Sequence, residues 1–197
     1  SRRADPMRPS LRFPARPFLA RLAFAALLLA ALPAWAAGDR PDPRPMVGTA
    51  PPDVFGKDFR GDPVSLEAHR GKVVIITFWA SWCGPCMREL PMLARVQQIV
   101  GNEHLVVLAV NYQEDRNQLR AMLRANPDTG LTWVHDRKGA IGERYGVRSL
   151  PNMFIVDGDG LIAARHVGYS EESVKGIIDQ IVSLLPPEAL SKPAGGP

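Results

Sequence analysis

Cysteine is nearly absent: the 197 residues hold two, Cys83 and Cys86, three positions apart in FWASWCGPCMRELP. Neither lies near the amino terminus, which excludes a lipid-modified cysteine there. The pair would make a poor structural staple. A disulfide stabilises mainly by closing a loop in the unfolded chain, and the gain grows with loop length. Zinc is badly served too, because a tetrahedral site takes four ligands. The four histidines, His69, His104, His135 and His166, follow no ligand spacing. No metal or other cofactor is expected, beyond a transient two-thiolate contact with Cu(I), an ion that soft ligands suit.

Long hydrophobic runs are missing as well. Residues 22–32 form an uncharged apolar run of 11 residues, where a membrane-spanning helix needs about 20. Arg8, Arg12, Arg16 and Arg21 precede this run, Pro33 breaks it, and Ala34-Trp35-Ala36 supplies a small-x-small pattern. This is the layout of a secretory signal over residues 1–36. Ser1 to Pro6 precede Met7 and read as an upstream or cloning-derived extension. The expected location is the periplasm, with the chain either soluble after cleavage or tethered to the inner membrane by an uncleaved amino-terminal helix. Basic excess is also lacking outside that segment. The whole chain carries a net +4, but residues 1–36 hold six arginines and one acid, leaving 18 basic and 19 acidic side chains. Nothing in that balance calls for nucleic acid.

Proline is sparse only in the middle of the chain. Ten of 19 prolines lie in residues 1–52 and four follow residue 185. Residues 37–52 therefore read as a Pro-rich linker and 186–197 as a flexible tail. Residues 53–185 are left as one domain with one core, expected to be a monomer. Within it, residues 53–55 and 63–66 flank the turn-rich GKDFRGD as an opening hairpin. Residues 73–79 (VVIITFW) read as a central strand buried on both faces. A helix should start at the cysteines and run to Val100, kinked at Pro91. A second buried strand is expected over 105–110, then a helix capped by Asp115 and reaching Asn126. A strand at 131–134, a short helix at 140–145, a hairpin of 152–156 with 161–166, and a last amphipathic helix complete the pattern. Strands alternating with helices describe a mixed α/β sheet covered on both faces.

The two cysteines gain a purpose at a strand-to-helix junction. A thiolate at Cys83 would meet free backbone N–H groups and the positive end of the helix, which lowers its pKa. Cys86, one turn further on, could displace a partner from a mixed disulfide. Gly84-Pro85 suits the tight first turn, since proline lacks an N–H that would be unpaired there anyway. Trp82 is either an apolar contact surface or a packing residue.

WCGPC after a hydrophobic strand resembles the thioredoxin active site, and SLPNMF at 149–154 is similar to the loop that sets a cis-proline opposite it. That resemblance implies a cis Leu150–Pro151 bond lining a groove where Leu150 and Trp82 meet substrate. The opening APPDVFGKDFRGDPVSLEAHRGK, the extra helix and strand over 115–134, and C-x-x-E-x-P from Cys86 through Glu89 to Pro91 resemble the TlpA/ResA-like thiol–disulfide oxidoreductases. The implied fold is thioredoxin-like: a mixed central sheet flanked by helices, with an amino-terminal β-hairpin and an inserted helix–strand unit. Thr77 stands where thioredoxins carry a buried aspartate, so Glu89 becomes the candidate for proton transfer, unless it is a solvated helix residue. A Cys83–Cys86 disulfide, catalytic roles for Cys83, Cys86 and Glu89, and a membrane electron donor of the DsbD/CcdA type are implied by the same resemblance. So are protein disulfide substrates: apocytochrome c, or the copper-site cysteines of a cytochrome oxidase subunit or its chaperone. Cys-Gly-Pro-Cys is similar to reducing thioredoxins, near roughly −270 mV against about −120 mV for DsbA, a gap of about 7 kcal/mol. A reductant is therefore expected, with a copper-transfer module or a thiol oxidant as alternatives. A peroxidase of the peroxiredoxin type finds no cysteine in a Pro-x-x-x-Thr-x-x-Cys setting.

Overall fold

A computed structural model describes residues 44–127 and 129–191. The expected signal over residues 1–36 lies outside them. Among the described residues, no helix is long and apolar enough to cross a membrane.

The centre is strand β3 (Val73–Trp79), buried at every position. It pairs in parallel with β4 (Leu105–Tyr112), which pairs in parallel with β5 (Thr132–Asp136). On its other side it pairs antiparallel with β6 (Asn152–Val156), itself antiparallel to β7 (Ile162–Val167). The order is β5-β4-β3-β6-β7. Successive β3 side chains point to opposite faces, so Val73, Ile75 and Trp79 enter one apolar cluster and Val74, Ile76 and Phe78 another. The first cluster is covered by helix α1 (Gly84–Val100) through Leu90 and Leu93, by α2 (Arg116–Ala125) through Leu119, and by α4 (Glu171–Leu184) through Ile177 and Ile181. The second lies under α3 (Ala140–Arg144), Tyr145 and the entry residues Phe55 and Val64.

Local signals explain the helix starts. Asp115 closes a capping box with Gln118, its side chain accepting from the Asn117 N–H at 2.8 Å. Ser170 and Ser173 cap α4, whose first turn carries Glu171 and Glu172. Helix α1 passes through Pro91 as one element.

Three expectations need correction. The opening hairpin pairs β1 (Gly56–Lys57) with β2 (Pro63–Val64), so its first strand falls inside the stretch read as turn. The turn proper shrinks to residues 58–62 because Asp58 Oδ1 accepts from the N–H groups of Arg60, Gly61 and Asp62. The linker's last residues belong to the fold: Gly48 donates to the Ile162 carbonyl, Ile162 to that of Thr49, and the Tyr145 hydroxyl to that of Pro52. At the other end, α5 (Pro187–Ser191) buries Ala189 in the first cluster, so residues 186–191 are not a loose tail.

Candidate active site

Strand β3 ends at Trp79, and the chain turns at once into α1. The Cys83 N–H donates to the Ala80 carbonyl at 3.1 Å, and Cys83 takes the N-cap position with extended backbone. Its Sγ accepts from the Cys86 N–H at 3.3 Å. Gly84 and Pro85 fill the first two helical positions and Cys86 the third. The two sulfurs are joined, with an S–S distance of 2.07 Å. Cys83 keeps 6% of its surface exposed and Cys86 none. When the bond is reduced, a thiolate at Cys83 faces the unpaired N–H groups of the helix start. An incoming sulfur can reach Cys83 before Cys86.

The loop before β6 meets this corner. Asn152 registers with Phe78 and Met153 with Thr77, which sets Pro151 beside the end of β3 that leads to Cys83. The Leu150–Pro151 peptide is cis. The Pro151 carbonyl accepts from Gly168, whereas Leu150 makes no backbone–backbone hydrogen bond among the described residues. Trp82 is 70% exposed, which removes the packing alternative for its indole.

Glu89 is 1% exposed and is no solvated helix residue. It lies on the face of α1 turned to the sheet, and Thr77 on β3 donates to its Oε1 at 2.5 Å. Its Oε2 is buried without a partner. Burial raises its pKa from 4.5 to about 7, against the opposing pull of the Thr77 hydrogen bond. A carboxyl that gains and loses a proton near neutrality is suited to acid–base work. Tyr169 stands in its field: burial first and the Glu89 charge second push the phenol above its ordinary range, with Arg88 opposing.

A second buried acid, Glu114, lies between β4 and α2 at 4% exposure. Its carboxylate accepts from the Ser81 N–H at 3.0 Å, from the Ser81 hydroxyl, and from Asn111 Nδ2 at 2.6 Å. His135 Nε2 contacts its backbone carbonyl at 2.9 Å. Among the described residues, no three of His, Cys, Asp and Glu converge as metal ligands.

A family model described as Redoxin matches residues 46–181. The chain belongs to the Redoxin family. This redoxin is 32% identical over 138 residues to the thiol-disulfide oxidoreductase ResA of Geobacillus thermodenitrificans, covering 68% of this chain and 78% of the relative. It is 36% identical over 124 residues to the thioredoxin-like protein YneN of Bacillus subtilis, covering 61% and 71%. A crystal structure of a candidate thiol:disulfide interchange protein DsbE from Chlorobium tepidum superposes with a TM-score of 0.66 at 30% identity, covering 71% of this chain and 98% of that one. The redoxin is thus a TlpA/ResA-like thiol–disulfide oxidoreductase of the thioredoxin superfamily.

Sequence reasoning did not single out Tyr169, Glu114 or the Thr77–Glu89 bond in this redoxin. One signal was available for Glu114. Asn111 breaks the apolar run of β4 at a position facing the first cluster, and an acid follows three residues later.

Proposed function

We propose that this redoxin reduces disulfides of specific protein partners outside the cytoplasm through Cys83 and Cys86. The observation that carries the reading is the Cys83–Cys86 disulfide at the start of α1, with a trace of surface left at Cys83 and none at Cys86. The reaction is an exchange of bonds. The Cys83 thiolate attacks one sulfur of the partner's disulfide, forming a mixed disulfide and releasing the other sulfur as a thiolate, which takes up a proton. Cys86 gives its proton to Glu89 and attacks Cys83 Sγ. The Cys83–Cys86 bond re-forms, the second partner sulfur leaves as a thiolate, and two electrons have passed to the partner.

Trp82 offers an apolar contact on one side of the groove. The backbone at Leu150, beside Pro151, is open to pair with an extended segment of the partner. Haem-site cysteines of apocytochrome c and copper-site cysteines of an oxidase subunit or its chaperone suit such a groove, since each must be reduced before its cofactor binds. A DsbD/CcdA-type membrane protein would return the oxidised pair to dithiol. These steps belong in the periplasm, where the residue 1–36 signal would deliver a monomer, released or still tethered.

Cys86→Ser expressed in the periplasm should accumulate mixed disulfides between Cys83 and its partners, separable on non-reducing gels. The wild-type potential should lie below about −220 mV, on the reducing side of the glutaredoxin range. A potential near that of DsbA would make the protein an oxidant. Stoichiometric Cu(I) binding without disulfide reduction would make it a copper module.

A further inference from the structure

Glu114 is a buried acid that the exchange chemistry leaves unused. Among the described residues no cation forms an ion pair with it. Its charge is held instead by the dipoles of Ser81 and Asn111. The Ser81 N–H belongs to the same peptide unit as the Ala80 carbonyl, and that carbonyl accepts from the Cys83 N–H. One peptide unit therefore links the carboxylate to the backbone of the attacking cysteine. Hydrogen bonds in series polarise one another, so the negative charge makes the Ala80 carbonyl a stronger acceptor and holds the turn that presents Cys83. The same charge opposes a second negative charge on the Cys83 sulfur. A dithiol couple becomes oxidising when its reduced form is stabilised, and here the reduced form is disfavoured.

We propose that Glu114 is a positioning residue that clamps the Ala80–Ser81 peptide and biases the Cys83–Cys86 couple toward the disulfide, making the reduced protein a stronger donor of its two electrons and two protons. The inference rests on the reductant reading above and deepens it. Titratable or charged groups close to this corner include Glu89 and Arg88 on α1, Tyr169 beyond β7, His135 on β5, and Asp115 and Arg116 next in the chain after Glu114. All of them remain in the variants below.

Glu114→Gln keeps the shape and removes the charge. Asn111 Oδ1, buried without a partner, can accept from the introduced amide once the Asn111 side chain turns over. In equilibration with dithiothreitol, this variant should shift about tenfold toward the reduced form, equivalent to ~30 mV. The pH midpoint of Cys83 alkylation should fall by about one unit. Ser81→Ala keeps the charge and the N–H but removes one donor, so it should shift modestly toward the disulfide, opposite to Glu114→Gln. No shift in Glu114→Gln, or equal shifts in both variants, overturns the proposal. If Glu114→Gln does not fold, Asn111→Leu decides. Removing a donor leaves the charge less compensated, so its equilibrium should move toward the disulfide, and no movement or the opposite one refutes the role. A wild-type couple as oxidising as DsbA would sink the reductant reading, whereas a reducing wild type with unshifted variants sinks only the role of Glu114.

Discussion

Replacing Glu89 by glutamine keeps its size and an acceptor for Thr77 while removing its ionisation. In the folded protein burial lifts the Glu89 pKa from 4.5 to about 7. The folded value is the higher one, so between those two pH values the native protein binds a proton that the unfolded chain has lost. Stability therefore falls as pH rises through this window, and the full penalty is present above about pH 7. At ~1.4 kcal/mol per tenfold change in proton affinity, the rise is worth about 3 kcal/mol. Urea unfolding of the oxidised proteins, in which the two sulfurs do not titrate, reads this directly. Wild type and Glu89→Gln should have similar stability near pH 4.5, and the variant should be more stable by about 3 kcal/mol at pH 8. Groups common to both proteins cancel, His69 among them, whose pKa is lowered by burial and by Lys72. A stability gap that stays constant from pH 4.5 to 8 would refute a buried, neutrally titrating carboxyl. In the same variant, partner reduction should slow by roughly 10²-fold, because Cys86 loses its proton acceptor.

Thr77→Val deletes the hydrogen bond that favours the charged carboxyl. Carbon-13 NMR of Glu89 should show its titration midpoint rising above about 7, with roughly 1–3 kcal/mol of stability lost at pH 8; an unmoved midpoint would disconnect the two residues. Iodoacetamide at pH 7 should modify Cys83 of the reduced protein well before Cys86, as their exposure dictates, and mass spectrometry showing Cys86 labelled first would reverse their roles. Trp82→Ala should change stability by less than about 0.5 kcal/mol, since the indole packs on little, while raising KM for a trapped partner. An unchanged KM would remove Trp82 from the contact surface.

Much of this molecule was written locally. The seven residues of β3, all but Thr77 apolar, announce a strand with both faces covered, and that one property already requires helices on each side. Asp115 with Gln118 marks a helix start within four residues. The cysteine spacing is equally local, because three positions is one helical turn. Burial is different in kind. A glutamate on a helix is solvated or buried according to what lies opposite. Only the packing of α1 on β3 brought Glu89 to Thr77, 12 residues away, and raised its pKa. Ser81 and Glu114 are 33 residues apart, joined because parallel pairing of β3 and β4 brings their ends together. The same holds where local reading failed. Gly56 and Lys57 open a stretch rich in turn residues, yet they make a strand through register with Pro63 and Val64. Residues 187–191 look like a tail until Ala189 finds the core. Sequence thus determined the strand, the caps and the sulfur pair, whose causes act over a few residues. Tertiary structure alone decided the protonation of Glu89 and the grip of Glu114, because desolvation and long-range hydrogen bonds exist only once distant segments meet.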